Sequence, residues 1–363
     1  MWNLVYAGGF GAAFVLSFLL FYPVRRLACA LGVLDRPSAR KIHTEATPLL
    51  GGLAIFLAFV TTTLAGLGTA RSSFLPEYFR EFLPGILRVS SRLHAVLAGG
   101  LLVVAAGVAD DILSLRPWQK LSLQVLCALV VFGAGIRISL FVPHLWFSLP
   151  LTVVWLVAMM NSFNLLDNMD GLSSGVACVC GAILFLMAFT LGQLFVATIL
   201  AVFLGSVAGF LVHNFPPAKI FMGECGSSFL GWFLGVVAIL LTFYRYEGTH
   251  TFLPILAPAV VFAVPFFDTL SVIWIRRRRG LPVFKADRNH FSHRLVALGM
   301  TQRQAVLLIY LVTFCTGIGA LAMTGLNLRG SILIVVQAAV VLTVVGLLET
   351  AGRQTNEPSR RGT

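Results

Sequence analysis

Eleven stretches of this chain are apolar over a length that crosses a bilayer or nearly so: 2–22, 49–68, 94–109, 117–133, 149–161, 172–190, 193–212, 226–244, 253–275, 304–323 and 329–348. A helix spanning hydrocarbon needs about 20 apolar residues, so 149–161 is expected to begin earlier than its most apolar part. Hydrophobic residues fill 58% of the 363 positions and charged ones 11%, with a mean hydropathy of +0.92. Soluble domains average about 45–50% apolar and about 25% charged, and no soluble core could hide this much apolar surface. The pattern therefore predicts an all-α polytopic membrane protein of about 11 transmembrane helices. A single integral domain over 1–350 is expected, followed by a polar, disordered tail over 351–363.

No basic region precedes the first apolar run, so a cleaved signal peptide is not expected. The six cysteines lie mostly inside apolar runs and form no CxxC pair, which reads as small buried hydrophobes. The stretches 69–93 and 276–303 are expected to lie outside the membrane, and no internal repeat is found. Eleven spans put the termini on opposite sides. Nineteen of the 26 Lys and Arg then fall on one side, from 23–48, 110–120, 213–225, 276–303 and the tail. The excess marks that side as cytoplasmic, with the N-terminus outside and the C-terminus inside. The net charge of +12 is thus spent on orientation, and no nucleic-acid partner is expected.

The acidic residues are more telling. Only 14 are present, and four sit in Asp110-Asp111 and Asp167-x-x-Asp170, at the ends of apolar runs. Charge at a helix centre costs roughly 2.5–3.5 kcal/mol in hydrocarbon, so carboxylates kept at span ends suggest chemistry at the membrane surface. Adjacent acids stay ionised together only beside a cation. Carboxylates with water and phosphate oxygens suit Mg²⁺, whereas the bland reading of Asp110-Asp111 is a solvated helix end. In the segment 161–175, Asn161, Asn164, Asp167 and Asp170 recur every three residues and would lie close together in a helix or turn. Capping of the next helix by Asp170 is the structural alternative there.

Three further segments fall on the same face. In 213–231, Pro216 and Pro217 forbid a regular helix. The run Gly223-Glu224-x-Gly226-Ser227-Ser228 could hold an anion on helix N-terminal amides, with Glu224 as a metal ligand; a loop and N-cap would also explain it. In 276–304, Arg276 to Arg279 read as a positive-inside signal. Asp287-Arg288-x-His290-x-x-His293-Arg294 suits phosphate contacts, with a zinc site as the rival reading. Arg40, Lys41 and His43 flank the second span, either as phosphate contacts or as snorkelling basic residues.

Taken together, the ordered segments RKIHTEATPLLGG, GVADD, NSFNLLDNMDGL, NFPPAKIFMGECGSSFLG and DRNHFSHRL resemble those of the polyprenyl-phosphate N-acetylhexosamine-1-phosphate transferases. The resemblance covers about 36 to 304. It implies that a polyprenyl phosphate, usually undecaprenyl phosphate, attacks the β-phosphorus of a UDP-N-acetyl sugar with release of UMP. It implies a requirement for Mg²⁺, with Mn²⁺ as an alternative ion, and a place in the inner (plasma) membrane at the start of cell-envelope polysaccharide synthesis. By motif, Asp110 and Asp111 would lie near the metal and the lipid phosphate, with Asp111, Glu224 and Asp110 as metal ligands. Asp167, Asp170, Asn164 and Asn214 would hold the nucleotide, Asp167 counting also among the catalytic residues with Asp110, Asp111 and His290. Phe221 would stack near uracil, Lys41 would approach the phosphates, and His290, Arg288, His293 and Arg294 would hold the diphosphate. A homodimer is an expectation by family analogy only.

Three positions depart from the family pattern. Glu224 replaces an Asp, Asn168 stands where Gly is usual, and Ser292 occupies a position often held by His. The DRxHxxHR form resembles the GlcNAc-1-phosphate branch more than the muramoyl-pentapeptide branch, which carries adjacent histidines. The rival class is a transporter or flippase, whose carboxylates would sit near the midplane on broken helices. A catalytically silent scaffold is the third reading.

Overall fold

The computed structural model describes residues 2–35, 46–72, 80–140, 142, 144–241, 252–282 and 289–356. Lys41 and Arg288, with Arg40, His43 and Asp287, lie outside the described residues.

Among the described residues, every stretch expected to span is largely helical. The long helices are α1 (Trp2–Ala30), α2 (Gly51–Arg71), α3 (Leu83–Leu113), α4 (Pro117–Gly133), α5 (Leu145–Leu166), α6 (Leu172–Thr190), α7 (Leu194–Asn214) and α8 (Gly223–Leu240). A 3-10 turn (Leu253–Leu256) leads into α9 (Ala257–Val261) and α10 (Ala263–Arg278), and α11 (Phe291–Ala297), α12 (Gln302–Gly317), α13 (Ala320–Met323) and α14 (Leu328–Asn356) complete the chain. Among the described residues nine helices are long and apolar enough to cross a membrane, or ten when the pair bent by 69° after Val261 counts as one. Helix α4, at 17 residues, is at the short limit for a crossing. The bend has a local cause: Pro265 has no amide to offer and its ring clashes with the carbonyl of Val261, where α9 ends.

Several boundaries differ from expectation: α1 runs on to Ala30 and α5 to Leu166, past expected ends at 22 and 161, and two further differences bear on the loops and the tail. Helix α3 begins at Leu83, inside the stretch read as loop, with Pro84 in its first turn. Arg88 and Arg92 hid that start from an apolarity pattern, although both residues favour helix. Helix α14 runs to Asn356, six residues into the expected tail.

Helix α8 is the hub. Nearly all its residues are buried, and it packs on α2, α3, α5 and α6. Helices α1 and α7 pack closely where Gly209 faces the Phe14 carbonyl; a Cβ there would come within 2.3 Å of that oxygen. Such small-residue contacts drive helix association where no hydrophobic effect operates between spans. A two-stranded antiparallel pair, β1 (Leu34–Asp35) and β2 (Thr47–Pro48), closes the end where α1 finishes and α2 starts.

Candidate active site

The end of α3 and the start of α8 meet through one carboxylate. Asp111 accepts hydrogen bonds from the amides of Glu224 (2.8 Å) and Cys225 (3.2 Å). The first-turn amides of α8, expected to hold an external anion, are therefore occupied by the chain's own. The approach requires glycine at 223, whose φ is +74° and whose Cβ would lie 2.6 Å from Asp111 Oδ2. The neighbouring Asp110 turns to α4: Lys120 Nζ lies 2.6 Å from Asp110 Oδ2 and 3.3 Å from Glu224 Oε2. Asp110 also accepts from the Leu115 amide, which holds the turn between α3 and α4. Ser228 donates to Glu224 Oε1 at 3.1 Å. Lys120 was not singled out by the sequence reading. Its signal was weak, a cation nine residues after Asp111 and four after Arg116, at the start of a span.

Helix α5 ends at Leu166, and the residues expected to cluster by their spacing divide. Asn164 donates to Ser227 of α8, and Asn161 turns away to Gln124 of α4. Asp170 does not cap α6; Gly171 is the N-cap, and Asp170 accepts from the Ala218 amide at 2.9 Å. Asp167 stands between these groups. Burial pushes its carboxyl up to about 8, and repulsion from Asp111, Glu224 and Asp170 adds to the shift. Among the described residues no hydrogen bond relieves that carboxylate. Asn214 is buried, and its side chain is committed to the protein: Oδ1 accepts from the Gly171 amide and the Ser174 hydroxyl, and Nδ2 donates to the Ile220 carbonyl. It positions the 167–171 turn and the 215–222 loop. Phe221 lies on that loop, which is fastened to the start of α2: its amide donates to the Pro48 carbonyl and its carbonyl accepts from Gly51.

The basic segment joins the same end. His290 is buried, with Nδ1 2.9 Å from Oδ2 of the buried Asp268, whose Oδ1 accepts the Phe291 amide. A carboxylate only accepts, so Nδ1 carries the hydrogen and Nε2 is left for another partner. Asp268 was missed because it lies in the middle of an apolar run, where an acid has no motif around it. Arg294 turns inward and donates to Ser271 and to the Asn289 carbonyl, which ties α11 to α10. His293 stands beside His290 with ring centroids 6.4 Å apart. Zinc finds no support here, since among the described residues no three His, Cys, Asp or Glu side chains converge to hold a metal.

Two departures from the family pattern touch each other. Ser292 donates to Oδ1 of Asn168, 124 positions earlier in the chain, and links the end of α5 to the start of α11. The third, Glu224, keeps its carboxylate in the cluster through the contact with Lys120.

The donors gathered here are hard oxygens. Mg²⁺ is commonly held by one or two carboxylates together with substrate phosphates rather than by a closed protein cage. An unrelieved Asp167 facing three other acids fits such an ion, and the lack of a ready-made cage is consistent with it. A cavity of about 20 Å³ lies between Asp110, Lys120, Glu224 and the apolar side chains of Val103, Leu123 and Met160. It can take about one water.

Fold and site together define a polytopic integral-membrane transferase. Residues 93–242 match the family described as glycosyl transferase family 4. The chain is 33% identical over 330 residues, 88% of its length and 86% of the relative's, to the "Probable undecaprenyl-phosphate N-acetylglucosaminyl 1-phosphate transferase" of Bacillus subtilis (strain 168). It is 31% identical over 363 residues, covering 93% of this chain and 87% of the relative, to the decaprenyl-phosphate N-acetylglucosaminephosphotransferase of Mycobacterium tuberculosis (strain ATCC 25618 / H37Rv). The undecaprenyl-phosphate alpha-N-acetylglucosaminyl 1-phosphate transferase of Escherichia coli (strain K12) is 28% identical over 325 residues, 85% of this chain and 82% of its own. The chain belongs to glycosyl transferase family 4, in the branch of the polyprenyl-phosphate GlcNAc-1-phosphate transferases.

Proposed function

We propose that this protein transfers GlcNAc 1-phosphate from UDP-GlcNAc to undecaprenyl phosphate or another polyprenyl phosphate, as the first membrane step of a cell-envelope polysaccharide. An oxygen of the lipid phosphate attacks the β-phosphorus, the bond between that phosphorus and the bridging oxygen breaks, and UMP leaves with the electron pair. The observation that carries this reading is the placement of Asp110, Asp111, Asp167, Asp170 and Glu224 at one end of the bundle, with Lys120 paired to Asp110 and Glu224. A transporter would place such groups near the midplane. The named relatives favour the GlcNAc branch over the muramoyl-pentapeptide one.

A phosphate monoester has its second pKa near 6, so the acceptor arrives mostly as a dianion and no strong base is needed. The difficulty is to bring two anions together, and phosphoryl transfer is mainly positioning plus electrostatic stabilisation. Lys120 supplies a fixed positive charge beside Asp110, which would orient the lipid phosphate or take the last proton from the fraction that arrives as the monoanion. His290, oriented by Asp268, would stand beside the diphosphate, while Arg288 and Lys41 would supply the positive charge there. One or two of the carboxylates that the motifs assign to the metal, Asp111, Glu224 and Asp110, would hold Mg²⁺ together with substrate phosphates, with Asp167 beside them. When bound, the ion supplies charge neutralisation of the diphosphate. Asn164, Asp170 and Phe221 shape the nucleotide side, while Asn214 and Arg294 act as positioning residues.

Eleven crossings follow if α4 and the bent α9–α10 pair each count as one. The site end, which carries the excess of Lys and Arg, then faces the cytoplasm of a bacterial inner membrane with the C-terminus on that side. The test is UMP release by purified protein given UDP-GlcNAc, undecaprenyl phosphate and Mg²⁺, with Asp111→Asn as control. Release that needs lipid, metal and Asp111 is expected. Silence with every UDP-N-acetylhexosamine would overturn the reading.

A further inference from the structure

A second cavity, of about 440 Å³, opens between the end of α1, strand β2, the end of α7 and the 215–222 loop. Its volume is within the range of small-ligand pockets. It lies at the same end of the bundle as the carboxylates but on the other side of that loop. Ala218 lines it, yet the Ala218 amide bonds to Asp170 on the site side. Nothing in the proposed transfer uses it.

Its charge is opposite to that of the site. Arg25, Lys219 and His213 line it with Phe21, Tyr22 and Thr47, and among the described residues no acid lines it. Arg25 and Lys219 are exposed, and among the described residues neither side chain has a carboxylate partner. His213 is 5% exposed and its placement is built: the ring stacks on Phe21 at 3.8 Å, and Nε2 lies 3.2 Å from the Phe18 carbonyl. A carbonyl only accepts, so Nε2 donates, and Nδ1 of the neutral ring is left as an acceptor for a ligand hydroxyl. Helix α1 sets the depth. It runs 29 residues, well beyond a span of about 20, so Arg25 stands in the interfacial layer. Tyr22, 52% exposed, takes the level typical of interfacial aromatics, and Leu19 and Leu27 are exposed above and below it. The wall is thus apolar towards the membrane and cationic towards water.

We infer that this cavity binds the phosphate headgroup of an anionic membrane lipid between Arg25 and Lys219, with His213 at its base, as a second site distinct from that of the reacting lipid. Its neighbour, the 215–222 loop, carries both Phe221 and the amide that holds Asp170, so an occupied cavity would steady the nucleotide side of the active site.

The test is titration of the full-length protein in neutral detergent with short-chain phosphatidylglycerol, read by native mass spectrometry, with inorganic phosphate in a parallel arm. Wild type is compared with Arg25→Gln/Lys219→Gln and with Arg277→Gln/Arg278→Gln, which removes two exposed cations elsewhere. Hydrogen bonds to charged groups are the strong ones. Loss of at least about tenfold in lipid affinity is therefore expected for the first variant only, with inorganic phosphate competing weakly. Inorganic phosphate binding as tightly as the lipid in wild type and not in the first variant would keep the phosphate site and assign its ligand to a soluble source. Equal loss in both double variants, or in neither, would overturn the proposal. Lys219→Gln alone, on an exposed side chain, serves if the double variant fails to fold, with loss and no loss read in the same way.

Discussion

Lys120 stands 2.6 Å from Asp110 and 3.3 Å from Glu224, and without it two poorly exposed carboxylates would face each other. Its side chain is one-third exposed, but those of Asp110 and Glu224 are 10% and 14% exposed, so removing it leaves two nearly buried charges without their cation. Lys120→Met is expected to lower turnover by about 10²–10³, the usual cost of losing one preorganised electrostatic contact, and to lower the thermal midpoint as well. UMP release and thermal unfolding check the two halves of that statement. The Ser292–Asn168 pair makes a different prediction. Both residues depart from the family pattern and each is the other's partner. Ala substitutions at the two positions should therefore couple by about 0.5–3 kcal/mol in a double-mutant cycle. Additive losses in unfolding free energy would show that the contact carries nothing. The acids of this site were legible in the sequence because carboxylates at span ends are costly and rare. Lys120 and Asp268 were not, since one cation or one acid in an apolar run has no pattern until folding supplies its partner.

At the scale of elements, the start of α8 is the critical joint. The Gly223 backbone adopts φ +74° and passes Asp111 with no room for a Cβ. Gly223→Ala is expected to displace Asp111 from the α8 amides and cut UMP release more than tenfold, while the bundle still unfolds cooperatively on heating. Gly209→Leu acts elsewhere, prising α1 from α7, and overpacking of this kind costs about 1–3 kcal/mol or more. A lowered thermal midpoint in detergent is the readout. The existence of these helices followed from apolar run length alone, and α4 and α6 even matched the expected ends. The early start of α3 did not follow, because its first ten residues are polar enough to read as loop while their backbone still continues the helix. Nor did the split of the 161–170 segment, where spacing by three predicted one cluster but the helix ends at Leu166 and sends Asn161 to α4.

For the molecule as a whole, the acid cluster links stability, pH and cation. The Asp167 carboxyl is raised to about 8 in the folded protein, against about 3.9 in an unfolded chain. The folded state therefore holds this proton more tightly, so stability falls as pH rises from about 4 to about 8 and is level beyond. A divalent cation competes with the proton. Mg²⁺ should raise the thermal midpoint more at pH 8.5 than at pH 5.5, and an increment independent of pH would argue against a carboxylate site.

The sequence by itself determined that the chain is helical and membrane-embedded, which residues are acids at span ends, and, through ordered motifs, to which family it belongs. These are properties of local composition and order, and they survive without coordinates. Only the tertiary structure decided which groups face one another. It set Lys120 between Asp110 and Glu224, turned Asp111 onto the α8 amides, paired His290 with Asp268, and committed Asn214 and Arg294 to the scaffold. Each of those contacts joins distant parts of the chain, and its partner is chosen by how the helices pack, which no single segment encodes.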